Sequence, residues 1–223
     1  LRGHLSSVRC LAVQQEAGDS LILVSVGGRA EVRLWRLALD TEGRIGALPL
    51  AKKLLRGVDK KKPWREAAEE RREDPETRVM AVSCLPGQGG AVSVLLACSD
   101  AFLRLLRWQE GDSSLELLQE QGAGAHCLLQ VVICGAHYAL TGSTGGVRCV
   151  WRVAEGVVAR LTEEPVHQSG VNCVQVAERG AGEHLVLTGG DDCALVLCSL
   201  RETGGGVELC REWTSSSWRH GAQ

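Results

Sequence analysis

Four stretches of this chain align on one another without a gap, and each reads as a strand, a tight turn and a second strand. They are 23–37 (LVSVGGRAEVRLWRL), 96–110 (LACSDAFLRLLRWQE), 139–153 (ALTGSTGGVRCVWRV) and 186–200 (VLTGGDDCALVLCSL). Short runs of Val and Leu on either side of a turn rich in Gly, Asp and Ser are the pattern of a β-hairpin. In every copy a small residue (Ser25, Cys98, Thr141, Thr188) stands ten positions before an anchor (Trp35, Trp108, Trp151, Cys198). This repeat limits the fold more than any other feature, because one hairpin cannot make a core and several copies must stack to bury their apolar faces.

Further strands flank each hairpin. Alternating segments precede three of the copies, at 8–13 (VRCLAV), 79–84 (VMAVSC) and 171–176 (VNCVQV), and another run follows each anchor, at 50–55, 115–120, 157–162 and 207–212. In the first and fourth copies the leading Val lies 17 residues before the small residue. Anchors are 43 residues apart from Trp108 to Trp151 and 47 from Trp151 to Cys198. Four antiparallel strands per unit at a period in the forties is the signature of propeller blades, so the expected class is all-β.

Gly3-His4 opens the first unit with Val8 four residues after the His, and His167 and Val171 repeat that spacing. With the hairpins, these residues resemble the WD-repeat family over most of the chain. The resemblance implies a β-propeller and, within each blade, a hydrogen-bonded network of a His, a small hydroxyl residue, a turn Asp and the anchor Trp. The structural blade positions it assigns are His4, Ser25, Trp35, Trp108, Thr141, Trp151, His167, Thr188 and Asp192. No copy has the whole set. The first has Arg29 at the Asp position, the fourth has Cys198 for Trp, and Arg36, Gln109, Arg152 and Ser199 replace the usual Asp after the anchor. Each network is therefore expected to be broken, and packing between neighbours to matter more than the single blade. The expected blades are 4–55, 78–120, 125–162 and 167–212, with a further, truncated one beginning at 213–223. The first residue is Leu1, and His220 again falls four positions before the place of a Val, so the expectation is four blades of a larger, incomplete propeller.

One segment breaks the period. Trp35 and Trp108 are 73 residues apart, which leaves an insertion at 56–77 between the first two blades. From 52 to 65 the chain holds seven bases (Lys52, Lys53, Arg56, Lys60, Lys61, Lys62, Arg65) against one acid, Asp59. Pro63 suits the first position of a helix through Arg72, and Asp74-Pro75 suits its stop. Two readings stand side by side: a solvated loop of mixed charge, or a basic protrusion that touches phosphate, with Trp64 packed on the blades. The candidate RNA contacts of the second reading are Lys60, Lys61, Lys62, Arg65, Arg71 and Arg72.

Composition narrows the function classes. A formal net charge of −2 over 223 residues argues against a surface that binds nucleic acid everywhere, and leaves room for a local basic patch. One Phe, one Tyr and six Trp are too few for a stacking platform for single-stranded RNA. No run of about 18 apolar residues suggests a membrane span. The ten cysteines include no Cys-x-x-Cys pair. Cys10, Cys84, Cys134, Cys149, Cys173, Cys198 and Cys210 sit in apolar runs, where a reduced thiol acts as a small hydrophobe. A reducing compartment, the cytosol or nucleus, fits this usage, and the expected location is cytoplasmic. Gly142–Gly146 occupies a hairpin turn and lacks the Lys-Ser/Thr of a phosphate loop, while Asp191 and Asp192 fit turn chemistry. His126, His137 and His184 have no metal-ligand spacing, and no glycine-rich strand-to-helix turn offers a cofactor site. The expectation is a protein without catalysis, cofactor, metal or small-molecule substrate.

A closer resemblance runs from Leu1 to Gln223, insertion included. It rests on Gly3-His4-Leu5-Ser6-Ser7-Val8-Arg9, Gly27-Gly28-Arg29-Ala30-Glu31, Asp74-Pro75-Glu76-Thr77-Arg78 and Ala97-Cys98-Ser99-Asp100, and on the spacing of His167, Ser169, Gly170 and Asn172. The chain is similar to the C-terminal part of the large WD-repeat proteins that act as non-catalytic partners of the tRNA ribose 2′-O-methyltransferase for wobble nucleotide 34. This implies two partners, the catalytic methyltransferase subunit and tRNA, and a role in positioning the tRNA. The competing reading is a protein-only scaffold, such as a signalling or ubiquitin-ligase adaptor, which the near-neutral charge outside the insertion favours.

Overall fold

A computed structural model describes residues 3–4, 6–16, 20–40, 42–55, 77–86, 90–154, 156–180, 182–204 and 206–215. The first sheet consists of β1 (Val8–Gln15), β2 (Ser20–Gly27), β3 (Glu31–Leu39) and β4 (Ile45–Leu54), with one 3-10 turn, Gly28–Ala30, at its hairpin tip. The second consists of β5 (Val79–Cys84), β6 (Val92–Cys98), β7 (Phe102–Trp108) and β8 (Glu116–Gly122). The third holds β9 (Leu128–Cys134), β10 (Tyr138–Ser143), β11 (Val147–Ala154) and β12 (Val157–Pro165). The fourth holds β13 (Val171–Gly180), β14 (Glu183–Gly190), β15 (Leu195–Thr203) and β16 (Gly206–Thr214). Each sheet pairs its strands in chain order, all antiparallel. The third copy thus has an inner strand, β9, for which the sequence carries neither the His nor the leading Val. Among the described residues no helix is long and apolar enough to cross a membrane.

The four sheets share details that identify them as copies of one blade. Five residues separate the last paired positions at every hairpin tip: Val26 and Val32, Ala97 and Leu103, Gly142 and Arg148, Gly189 and Leu195. The fourth tip residue has positive φ in every case, at Ala30 (53°), Ala101 (68°), Gly146 (75°) and Cys193 (62°). Only Gly146 adopts this region without strain, and a Cβ there would also collide with the His167 carbonyl. The inner strand is bulged just after its first residue, at Arg9, Met80, Leu129 and Asn172. A second bulge lies opposite Trp35, Leu106, Trp151 and Cys198 on the outer strand. Bulges bend and twist a strand, and their recurrence gives all four blades the same curvature.

These markers correct the gapless alignment in the second blade. Trp35, Trp151 and Cys198 pair with Leu23, Ala139 and Val186, whereas Trp108 pairs with Val92. The tip residue equivalent to Asp192 is Asp100, and the anchor slot, marked by the bulge, holds Leu106. Trp108, expected as the second anchor, therefore lies two residues further from the tip, and Cys98 is displaced from the small-residue slot in the same way. An even shift leaves each side chain on the same face, so the hydrophobic pattern is unchanged by it. The indole N–H of Trp108 reaches the Asp112 carbonyl at 2.9 Å and bonds to no hydroxyl residue.

The chain divides into two compact units, Leu1–Ala125 and His126–Gln223, each with two blades. In the first, Ile22, Val24, Val26, Val32 and Leu34 of one blade pack against Val79, Val82, Val94, Leu96, Leu106 and Trp108 of the next. In the second, Leu140 and Val150 meet Val171, Val174, Val186 and Leu200. Alternation puts these β-branched and Leu residues on one face, and each fully buried one is worth roughly 1.5–3 kcal/mol.

Arg104 occupies the middle of the second blade, fully buried. Its guanidinium grips Asp100 through two bonds of 2.9 and 2.6 Å, its Nε donates to Glu120 at 2.5 Å, and it lies 5.3 Å from the Phe102 ring centre. An Arg–Asp–Glu cluster thus ties the turn Asp to the outer strand where the family network uses His and Trp. Removing the cation would leave two carboxylates short of their partner. Arg104→Met is expected to lower unfolding free energy by about 3–5 kcal/mol, measured by urea denaturation. A loss below about 1 kcal/mol would show that the cluster does not hold the blade.

Candidate functional site

The blade positions were expected to form incomplete networks, and the first blade departs from that. Trp35 donates its indole N–H to Ser25 Oγ at 2.8 Å, and His4 Nε2 lies 2.8 Å from the same oxygen. The arrangement that uses every proton has the Ser25 hydroxyl donating to His4 Nε2, which puts the imidazole proton on Nδ1. There Glu31 Oε2 stands 3.2 Å away. Glu31 is two residues beyond Arg29, and its longer side chain restores the acid that position 29 lacks. Arg33 holds Glu31 at 2.7 Å from the other side and lies 5.9 Å from the Trp35 ring centre.

The fourth blade has the other half of the network. His167 Nδ1 faces Asp192 at 3.0 and 3.2 Å, and His167 Nε2 meets Thr188 Oγ1 at 2.9 Å. Burial works to raise the Asp192 carboxyl, but the Gln168 and Ala194 amides and His167 hold it below the usual carboxylate range. Where Trp is replaced by Cys198, Arg148 from the neighbouring blade fills the space. It is fully buried, with Nη1 3.3 Å from Cys198 Sγ and Nη2 2.8 Å from Glu164 Oε2. The third blade keeps the Trp151–Thr141 bond of 2.9 Å. His167 is bonded at both ring nitrogens within its blade, while His4 bonds Ser25 through Nε2 and holds its buried Nδ1 3.2 Å from Glu31 without a hydrogen bond. Asp191 accepts from Asn172, as a turn residue does.

All ten cysteines are free thiols. Burial pushes Cys84, Cys98 and Cys134 up to about 12, which keeps them protonated and unreactive. Cys173 and Cys210, read as buried filler, are exposed, because strand alternation turns them away from the packed face. Among the described residues no three metal-ligating side chains come together.

The six basic residues proposed as RNA contacts, Lys60, Lys61, Lys62, Arg65, Arg71 and Arg72, lie outside the described residues, as does the helix expected from Pro63. The residues flanking that segment are described, and both stand at the hairpin-tip rim of the first unit. Leu55 N–H donates to Ala30 O at 3.0 Å, Ser99 N–H donates to Arg78 O and Arg78 N–H to Ser99 Oγ, each at 2.9 Å, and Thr77 Oγ1 donates to Asp100 Oδ2 at 3.5 Å. At the opposite rim Arg36, which replaces the Asp after the anchor, clamps Glu16 at 2.8 Å and Glu110 of the second blade at 2.6 Å.

The four sheets fit the blades of a WD-repeat propeller. No protein-family model matches the chain. It is similar to the "tRNA (34-2'-O)-methyltransferase regulator WDR6" of Rattus norvegicus, with 26% identity over 266 residues that cover 92% of this chain and 23% of the relative. The protein of the same name from Mus musculus is 25% identical over 250 residues, 88% of this chain and 22% of the relative. That from Homo sapiens is 25% identical over 243 residues, covering 86% and 21%. The chain spans about a fifth of the length of the curated relatives it matches.

The blade networks carry two consequences. First, Cys198→Trp, which restores the usual anchor, is expected to destabilise by about 1–3 kcal/mol because Arg148 already fills the site. A rise in the unfolding midpoint would refute this. Second, burial lowers the His4 pKa, although the Glu31 charge works to raise it. A His whose folded value lies below the unfolded value of about 6.5 gains a proton on unfolding, so stability present above that pH is lost as the pH falls through it. Urea midpoints between about pH 8 and pH 5 should fall more for the native chain than for His4→Gln; equal slopes would remove His4 from the account.

Proposed function

We propose that this chain is part of a non-catalytic regulatory subunit that positions tRNA for ribose 2′-O-methylation of the anticodon loop, at nucleotide 34, by a separate methyltransferase. The observation that carries this is the similarity, over about nine-tenths of the chain, to proteins named as regulators of that methyltransferase. The blade geometry supports a non-catalytic role, since His167 spends both ring nitrogens on Thr188 and Asp192, and His4 places Nε2 on Ser25 with Glu31 3.2 Å from its Nδ1. The partner supplies the methyl donor and the chemistry. This chain contributes orientation, which turns an encounter of two molecules into a reaction within one assembly. Free thiols throughout agree with work in the cytoplasm.

In this reading the basic insertion meets the tRNA backbone through Lys60, Lys61, Lys62, Arg65, Arg71 and Arg72. Such contacts set register and orientation without reading bases. Lys60→Glu, Lys61→Glu and Lys62→Glu together, in the full-length protein, should weaken tRNA binding and lower the salt slope by about 2 log units per log salt. Methylation by the partner should fall with it. Unchanged binding and methylation would remove the insertion as the RNA contact and favour a scaffold that touches only protein.

A further inference from the structure

The hairpin-tip rim of the first unit has a charge imbalance that the overall charge of −2 conceals. Among the described residues three acids lie there, and internal partners engage each of them. Glu31 is buried between Arg33 and His4, while Asp100 and Glu120 are both held by the buried Arg104. The bases of the same rim are not consumed. Lys52 and Lys53 sit near the end of β4, paired across the sheet with Arg33 and Val32, and make no ion pair among the described residues. Arg78 is exposed beside Ser99, its side chain likewise without an acid. Arg9, at the bulge of β1, reaches only Met80 Sδ, at 3.7 Å. At the opposite rim Arg36 and Arg44 are both neutralised by glutamates.

We infer that Lys52, Lys53, Arg78 and Arg9 form a ledge that binds the sugar–phosphate backbone of RNA beside the insertion. The inference rests on the proposed tRNA role and adds a second contact surface to it. β1 and β4 are three strand spacings apart, so the bases spread over about 14 Å rather than clustering in one pocket. Spread, solvated cations suit an extended polyanion, which is held by several separate contacts with release of counterions. A protein helix would instead need an apolar stripe to lie on. The rewired blade networks produce the ledge: by replacing exposed acids with buried Arg–carboxylate and His–carboxylate pairs, they strip the rim of negative charge while the blades stay folded.

The test combines Lys52→Glu, Lys53→Glu and Arg78→Glu in the full-length protein, with the methyltransferase present. tRNA affinity is measured between about 50 and 200 mM salt, and methyltransferase co-purification alongside. The ledge predicts affinity about 10-fold lower or worse near 0.15 M and a salt slope reduced by about 2. A neutral version, with Gln at the three positions, should show an intermediate loss at an unchanged unfolding midpoint. If the Glu version misfolds, the Gln version decides. Unchanged affinity and slope in the Gln and Glu versions, beside a loss in the insertion triple, would overturn the ledge and leave the tRNA role standing. Unchanged binding in both sets would overturn the two together. Loss of methyltransferase with tRNA affinity intact would also overturn the ledge, making it a protein-docking surface.

Discussion

Face-to-face packing of neighbouring four-stranded sheets is the constraint on which everything else here depends. Ile22, Val24 and Val26 can be buried only if a second sheet brings Val94, Leu96 and Leu106 against them, and neither sheet has a core of its own. That requirement explains why one blade plan recurs four times down to the position of its bulges and its left-handed tip residue. A change in curvature in one copy would open its interface with the neighbouring blade. It also explains why the polar networks can vary so widely. The apolar interface carries the energy, and what the networks must do is satisfy the groups it buries.

Each blade solves that problem with different residues. The first uses His4, Ser25, Trp35 and Glu31; the second uses Arg104 with Asp100 and Glu120; the fourth uses His167, Thr188 and Asp192 and lets Arg148 occupy the place of an indole. In these three an acid near the hairpin tip meets a buried cationic or imidazole partner. The side chain that performs the pairing is not fixed, but the need to neutralise that acid is. As a result, the described acids at the tip rim of the first unit turn inward, while Lys52, Lys53 and Arg78 have no acid partner among the described residues.

Strand content and the four-copy plan were legible from spacing, because hairpin chemistry and period leave a strong trace. The second blade shows where spacing fails. Trp108 is the only Trp near the expected place, and an alignment anchored on it looks complete, yet the tip pivots on Asp100 and moves the anchor slot to Leu106. A two-residue slip preserves the alternation of buried and exposed positions, so nothing in the pattern signals it. β9 was implied by the four-strand plan and the blade at 125–162 but marked by no segment of its own: its inner-strand character comes from pairing with β10, not from a His or a leading Val.

The sequence by itself determined that this chain is made of four hairpin-centred, four-stranded units and that an extra segment, base-rich from 52 to 65, interrupts their period. Both facts are written in periodicity and local charge, which need no partner to be read. The tertiary structure alone decided which residues complete each network. Glu31 for an absent Asp, Arg104 for a His and Arg148 for a Trp are substitutions between positions that are not equivalent in the repeat. They work because folding brings those side chains into one buried volume, where a charge must find its counter-charge regardless of its place in the chain.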